Sequence, residues 1–195
     1  MLPLESVRRW GVDLGNVIIY NLPPETKDKI SKTFIFPKYR VLNHAEKLQE
    51  IDAALATNSH LVPLAIASLK LMIENCGAEN VWIISQASGM ERFFNSRLMH
   101  GHKIFEKTGL RRDHVRFVDE KKEKADVCQS LSIQGHIDDR GMTLFHMQNK
   151  VSVPVWFDPS KKDYKKWAYR FTLPILLVDD WGEIARFAHW QDRKT

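Results

Sequence analysis

Short unbroken runs of apolar residues recur along this chain, and longer stretches with helical spacing lie between them. Five runs, at residues 10–13, 81–85, 115–118, 135–138 and 153–157, are rich in Val, Ile and Trp, and a sixth lies at 174–178. Continuous rather than alternating runs suit strands that are covered on both faces. Residues 60–76 place Leu61, Ala65, Leu69, Met72 and Ile73 on one stripe, and Gly77 follows as a helix-ending glycine. Further helices are expected over 89–105, over 124–131 with Val127, Cys128 and Leu131 facing inward, and over 142–148 and 182–190. Strands that alternate with helices predict an α/β domain with a parallel sheet and right-handed crossovers.

Residues 21–58 break this rhythm. The segment is polar and opens with Pro23-Pro24, with a strand-like piece at 33–36 and a helix at about 44–56. It reads as a small cap-like or lid-like insertion after the first strand, within a single domain spanning 1–195. Ligands of open α/β sheets bind beyond the carboxyl ends of the strands, and lids there exclude water and select substrates. The plainer alternative is a connecting segment with no part in selection.

Composition narrows the picture modestly. The 195 residues are 44% hydrophobic, enough for one sizeable core. No stretch reaches the roughly 18 apolar residues of a membrane span, so no membrane partner is expected. The start, Met1-Leu-Pro-Leu-Glu-Ser-Val-Arg-Arg, lacks the pattern of a secretory signal, which predicts a cytoplasmic protein. Cys76 and Cys128 show no metal-ligand spacing and suit buried thiols in a reducing compartment. The net charge of +5 and pI near 9.2 are compatible with an anionic substrate, with nucleic acid, or with a plain solvated surface. Residues 161–171 interleave lysines with Tyr164, Trp167, Tyr169 and Phe171. Such a stretch can stack on bases, but packing of the aromatics on the core is the favoured reading.

The candidate chemistry lies at strand ends. The first strand ends at Asp13 before a turn at Gly15-Asn16, and the second ends at Ser85 before Gln86. The fourth ends at the acidic pair Asp138-Asp139, and Lys124 opens the helix before it. A buried carboxylate costs several kcal/mol unless it is compensated. In a parallel sheet these ends converge. A nucleophilic carboxylate, a hydroxyl, an ammonium and an acidic pair are what phosphoryl transfer through an aspartyl-phosphate needs. Plainer roles exist for each: Ser85 bonding its own turn, Asp139 pairing with Arg140 or capping a helix, and Lys124 being solvated like Lys121 and Lys122. His100 and His102 read as surface histidines, and Asp179-Asp180 as the cap of the final helix.

These segments together resemble the haloacid dehalogenase (HAD) superfamily over nearly the whole chain. Asp13-Leu-Gly-Asn-Val17 resembles its first motif, Val-Trp-Ile-Ile-Ser85 its second, Lys124 its third and Ile137-Asp138-Asp139 its fourth, in the family's order. The resemblance implies a HAD-like Rossmannoid three-layer sandwich with a central parallel sheet, and a Mg2+-dependent phosphatase acting on a phosphorylated substrate. It implies Asp13 as nucleophile and metal ligand, with the Gly15 carbonyl, Asp138 and Asp139 also at the metal. Ser85 and Lys124 are implied at the phosphoryl group, with Gln86 and Asn16 lining the substrate. One position departs from the pattern. Gly15 stands where the family's phosphatases usually carry an acid–base Asp, a loss worth roughly 10²–10⁴ in rate. The departure keeps a second reading in view: a HAD-like binding or regulatory module with weak or no catalysis, contacting nucleic acid or a protein.

Overall fold

Successive residues of a strand point to opposite faces of its sheet, and here both faces are apolar. On one side, Val12, Ile83, Ile137 and Val155 join one core; on the other, Ile84 and Trp156 join a second. The computed structural model describes residues 3–35 and 44–190. Its six strands are β1 (Trp10–Val12), β2 (Val81–Gln86), β3 (Val115–Val118), β4 (Gly135–Asp138), β5 (Val153–Phe157) and β6 (Leu176–Val178). They form one sheet in the order β3-β2-β1-β4-β5-β6, and every neighbouring pair is parallel. The chain therefore runs outward from β1 in one direction, then returns to its other side. Ligand crevices form at such a reversal.

Helices cover both faces. The first core takes in Leu69 and Met72 of α3 (Ala65–Cys76), Phe94 and Leu98 of α4 (Met90–Gly101), Ile104 of α5 (Ile104–Thr108) and Ile184 of α9 (Trp181–Phe187). The second takes in Cys128 of α6 (Lys121–Ser130), Leu144 of α7 (Gly141–Met147) and Trp167 of α8 (Lys162–Trp167). The expected α/β architecture with a central parallel sheet is thus present. Residues 161–171 follow the core-packing reading for most of their aromatics: Trp156 meets Tyr164 and Phe171 at ring distances of 5.2 and 5.3 Å, and Tyr169 alone of the four is exposed. No helix among the described residues is long and apolar enough to cross a membrane.

Several expected boundaries shift, each for a local reason. The strand-like piece at 33–36 is helical through Ile35, within α1 (Pro24–Ile35), and residue 36 lies outside the described residues. Pro24 at the first helical position and an Asp28–Lys32 pair one turn apart favour that helix. α2 (His44–Asn58) follows, and Ile30, Ile51 and Leu55 of the two helices enter the first core. The stripe at 60–76 becomes helical only at Ala65. Pro63 and a left-handed Leu64 (φ 63°) precede it, and Leu61 is bridged to Ile19. Residues 89–105 split into α4 and α5 at the left-handed Lys103 (φ 55°). α6 starts at Lys121, so Lys124 sits in its first turns rather than opening it; Glu120 and Glu123 form a reciprocal cap at its start. The final helix closes at Phe187, earlier than 190, and Asp180 caps it by accepting from the Glu183 N–H at 2.8 Å.

Candidate active site

β1 delivers Asp13 to the sheet's carboxyl edge, where the Asp13 N–H still donates to the Ile137 carbonyl of β4 at 2.9 Å. The chain then turns sharply. The Ile18 and Ile19 N–H groups both donate to Leu14 O at 3.0 Å, and Asn16 takes a left-handed backbone (φ 57°), which Asn tolerates better than most residues. The Asn16 side chain locks this turn to its surroundings. Its Nδ2 donates to Asp139 Oδ2 at 2.8 Å and its Oδ1 accepts the Asn21 N–H at 3.0 Å. At the end of β4, Asp138 Oδ1 accepts the Arg140 N–H at 2.9 Å, which fixes that carboxylate before α7 begins.

Lys124 joins the strand ends. Only 2% exposed, it lies 2.8 Å from Asp13 Oδ1 and 2.7 Å from Asp138 Oδ2. Burial alone would lower its pKa, but the Asp13 and Asp138 charges outweigh that and raise it. Burial likewise opposes ionisation of Asp138, yet Lys124 and His136 hold its carboxyl well below the usual range. His136 sits between Cys128 Sγ at 3.6 Å and Asp138 Oδ2 at 3.4 Å. Burial disfavours its charged form, and Cys128 and Asp138 overcome this to raise it to about 9. β1 makes room for the imidazole with Gly11, where a Cβ would lie 2.5 Å from His136 Nδ1. Asp139 moves the other way. Burial first, then Asp138 and Asp13, push its carboxyl up to about 7 despite Asn16 and Arg140, the latter 3.5 Å away.

Asp13, Asp138 and Asp139 each offer a carboxylate oxygen, and the three lie within 4.8 Å of one another. Three hard oxygen donors suit a hard divalent cation such as Mg2+. Two further observations fit such a group. Asp139 is costly to ionise beside two carboxylates unless positive charge is added, and Asp13 Oδ1 and Thr143 Oγ1, both lining the adjoining cleft, are buried without a hydrogen bond. Asp13 Oδ1 is thus close to Lys124 as an ion pair but not aligned as a hydrogen bond.

The cleft is about 280 Å3 and includes Asp13, Gly15, Ser85, Gln86, Lys124 and Asp139 in its wall. The expected site residues are therefore gathered at one edge, with Asp138 beneath. Ser85 is buried, and its hydroxyl makes no bond to its own turn among the described residues. Gln86 is tied by Nε2 to the Asp119 carbonyl at 2.9 Å. Asn16 faces an adjoining cleft, with its amide engaged by Asp139 and Asn21. Of the three lysines weighed, Lys124 is the buried one; Lys122 pairs with Glu120 at 2.8 Å, and Lys121 lines the cleft rim. His136 escaped sequence reasoning, although its place two residues before Asp138 on one strand puts both on one face. Asn21 escaped too: its Oδ1 lies 2.6 Å from where a Cβ on Gly15 would stand.

No protein-family model matches the chain, and no curated protein is detectably similar to it in sequence. Solved structures do resemble it. A HAD-family hydrolase from Deinococcus radiodurans R1 with bound phosphate and sodium aligns at a TM-score of 0.58 and 11% identity, covering 95% of this chain and 96% of that one. A haloacid dehalogenase-like hydrolase from Burkholderia xenovorans LB400 aligns at 0.57 and 13%, covering 93% and 96%. A HAD-superfamily hydrolase from Ehrlichia chaffeensis aligns at 0.55 and 14%, covering 94% and 96%. With its central parallel sheet and flanking helices, the chain has the Rossmannoid fold of the HAD-like hydrolases.

Proposed function

We propose that the protein is a magnesium-dependent phosphohydrolase that works through an aspartyl-phosphate on Asp13. The observation that carries this reading is the meeting of Asp13, Asp139 and Lys124 at the wall of one cleft, beside the Ser85 hydroxyl, with the buried Asp138 2.7 Å from Lys124. The Deinococcus protein, on the same fold, holds phosphate. Asp13, Asp138, Asp139 and the Gly15 carbonyl would hold Mg2+, which would screen the negative charge of the phosphoryl oxygens when bound. Lys124 offsets the charge of Asp13 so that an anion can approach, and its ammonium and the Ser85 hydroxyl bind phosphoryl oxygens. An Asp13 carboxylate oxygen attacks phosphorus, and the bond from phosphorus to the ester oxygen breaks. Water then attacks the aspartyl-phosphate, releasing inorganic phosphate and restoring the Asp13 carboxylate. The water's proton balances the alkoxide that left. Since position 15 carries no side chain, the first departure relies on the leaving group's own acidity or on a proton from solvent.

The helices of residues 21–58 act as a small lid over this cleft. Lys27 of α1 and Glu91 of α4 both line it and pair at 3.2 Å, while Arg97 Nε of α4 holds Asp52 of α2 at 2.8 Å. Turnover of p-nitrophenyl phosphate that needs Mg2+ and is lost in Asp13→Asn is the expected result; full activity of Asp13→Asn refutes the mechanism. A second reading rests on Gly15: a HAD-like module that binds a partner and turns over little. Silence across a panel of phosphorylated compounds, with tight binding of RNA or a protein, favours that reading instead.

A further inference from the structure

A second cleft, of about 460 Å3, adjoins the first, and Tyr20, Asp139 and Arg140 line both. Its far wall is α8, where Lys162 and Lys166 stand one turn apart. Both are exposed, and neither has an ion-pair partner among the described residues. Their neighbour Lys161 differs, being held by Asp179 at 3.2 Å. The carboxylates of this cleft are committed elsewhere. Asp158 accepts from Ser160 Oγ at 2.9 Å and from the Tyr164 N–H at 2.8 Å, Asp163 accepts the Gly141 N–H, and Asp139 is held by Asn16. Hydrogen bonds within the wall thus hold these carboxylates in place, while Lys162 and Lys166 remain the unpaired ammoniums that the cleft offers to an anion, and Asp139 joins it to the acidic cluster of the first cleft. Tyr20 is 45% exposed where the two clefts meet, so its ring is free to stack on a flat apolar group.

We propose that the substrate is a nucleotide with two phosphates, one reacting at Asp13 and the second held by Lys162 and Lys166, with its base against Tyr20. The proposal rests on the phosphohydrolase reading and deepens it. Phosphate oxygens meeting two unpaired ammoniums form charge-assisted contacts, and base stacking on an aromatic ring is tolerant of sequence. A free nucleoside bisphosphate and the phosphorylated end of an oligonucleotide share this chemistry.

The test compares the native protein with Lys162→Ala/Lys166→Ala and with Tyr20→Ala, in Mg2+, on four compounds. These are p-nitrophenyl phosphate, a nucleoside 5′-monophosphate, a nucleoside 3′,5′-bisphosphate and a 5′-phosphorylated oligonucleotide. The double lysine variant is expected to raise KM about tenfold for the last two and to leave the first two unchanged. Tyr20→Ala is expected to raise KM for the nucleotides several-fold more than for p-nitrophenyl phosphate, whose single ring offers less stacking area. A low KM confined to the oligonucleotide assigns the strand end as the source; a low KM shared with the bisphosphate assigns the small nucleotide. Equal effects on all four compounds, or none, overturn the proposal. If nothing is turned over, catalysis fails separately. Equilibrium binding then decides the subsite: the bisphosphate must bind more tightly than the monophosphate, and the lysine variant must erase the difference.

Discussion

At position 15 the missing side chain concerns chemistry more than space. The nearest atom to a Cβ there is the tip of the exposed Asn21 side chain, which can swing aside without moving backbone. Gly15→Asp is therefore expected to fold and to supply the absent proton donor. Kinetics on a series of aryl and alkyl phosphates check this: the native rates should fall steeply as the leaving group becomes less acidic. In Gly15→Asp the slope should flatten, with a gain of about 10²-fold or more on alkyl phosphates. Asp139 carries a second residue-level prediction. Its pKa of about 7 lies above the ordinary carboxylate value, so the folded protein without metal keeps a proton that the unfolded chain has released. Stability of that form should fall as pH rises from about 4 through about 7, and a bound cation should reverse the loss. The rise in Tm on adding Mg2+ should accordingly be larger at about pH 8 than at about pH 5.5; a rise that shrinks with pH contradicts this. Asp13, Ser85 and the Asp138-Asp139 pair were legible in the sequence because each ends an apolar run; Lys124, in a charged run, stood out from Lys121 and Lys122 only through the family resemblance. His136 was not, because its meaning comes from Gly11 and Cys128 on other elements, and Asn21 was not, because only the fold of the turn after β1 brings it back against Gly15 and Asn16.

Among the elements, the strands were the most legible, since burial on both faces leaves an unbroken apolar run. The Phe-Ile stretch at 34–35 misled for the same reason: it is apolar, but its charged neighbours and Pro24 carry it into a helix. Residues 60–64 misled in the other direction, because helical spacing continues through a proline that the backbone cannot follow. α9 shows an influence that no motif signals. Trp181 is fully buried, and its indole N–H donates to the Val17 carbonyl at 2.7 Å, tying the last helix to the turn that carries Gly15 and Asn16. Trp181→Phe strands that carbonyl, at a cost of about 1–3 kcal/mol, and adds the cost of the small cavity left by the missing part of the indole. Urea unfolding should show a lower midpoint, and Mg2+ binding should weaken although no ligand has changed. An unaltered midpoint would mean that the turn finds another donor.

Over the whole molecule, the sheet order decides where everything else can be. β1 lies between β2 and β4, with Trp10 opposite both Val81 and Gly135. Asp13 therefore has one side facing Ser85 and the other facing Asp138, while Lys124 arrives from the helix that crosses between β3 and β4. Both clefts open at this edge. Refolding after dilution from urea should thus recover Mg2+ binding no faster than it recovers global fluorescence, because the ligands become neighbours only once distant strands pair. The same arrangement matters while the chain is being made. Synthesis supplies β1 well before β4, one of its two flanking strands. A nascent chain halted before β4 would present the apolar edge of β1 to any other unfinished chain nearby. The step most exposed to aggregation is then the wait between making the nucleophile's strand and making the strand that closes over it.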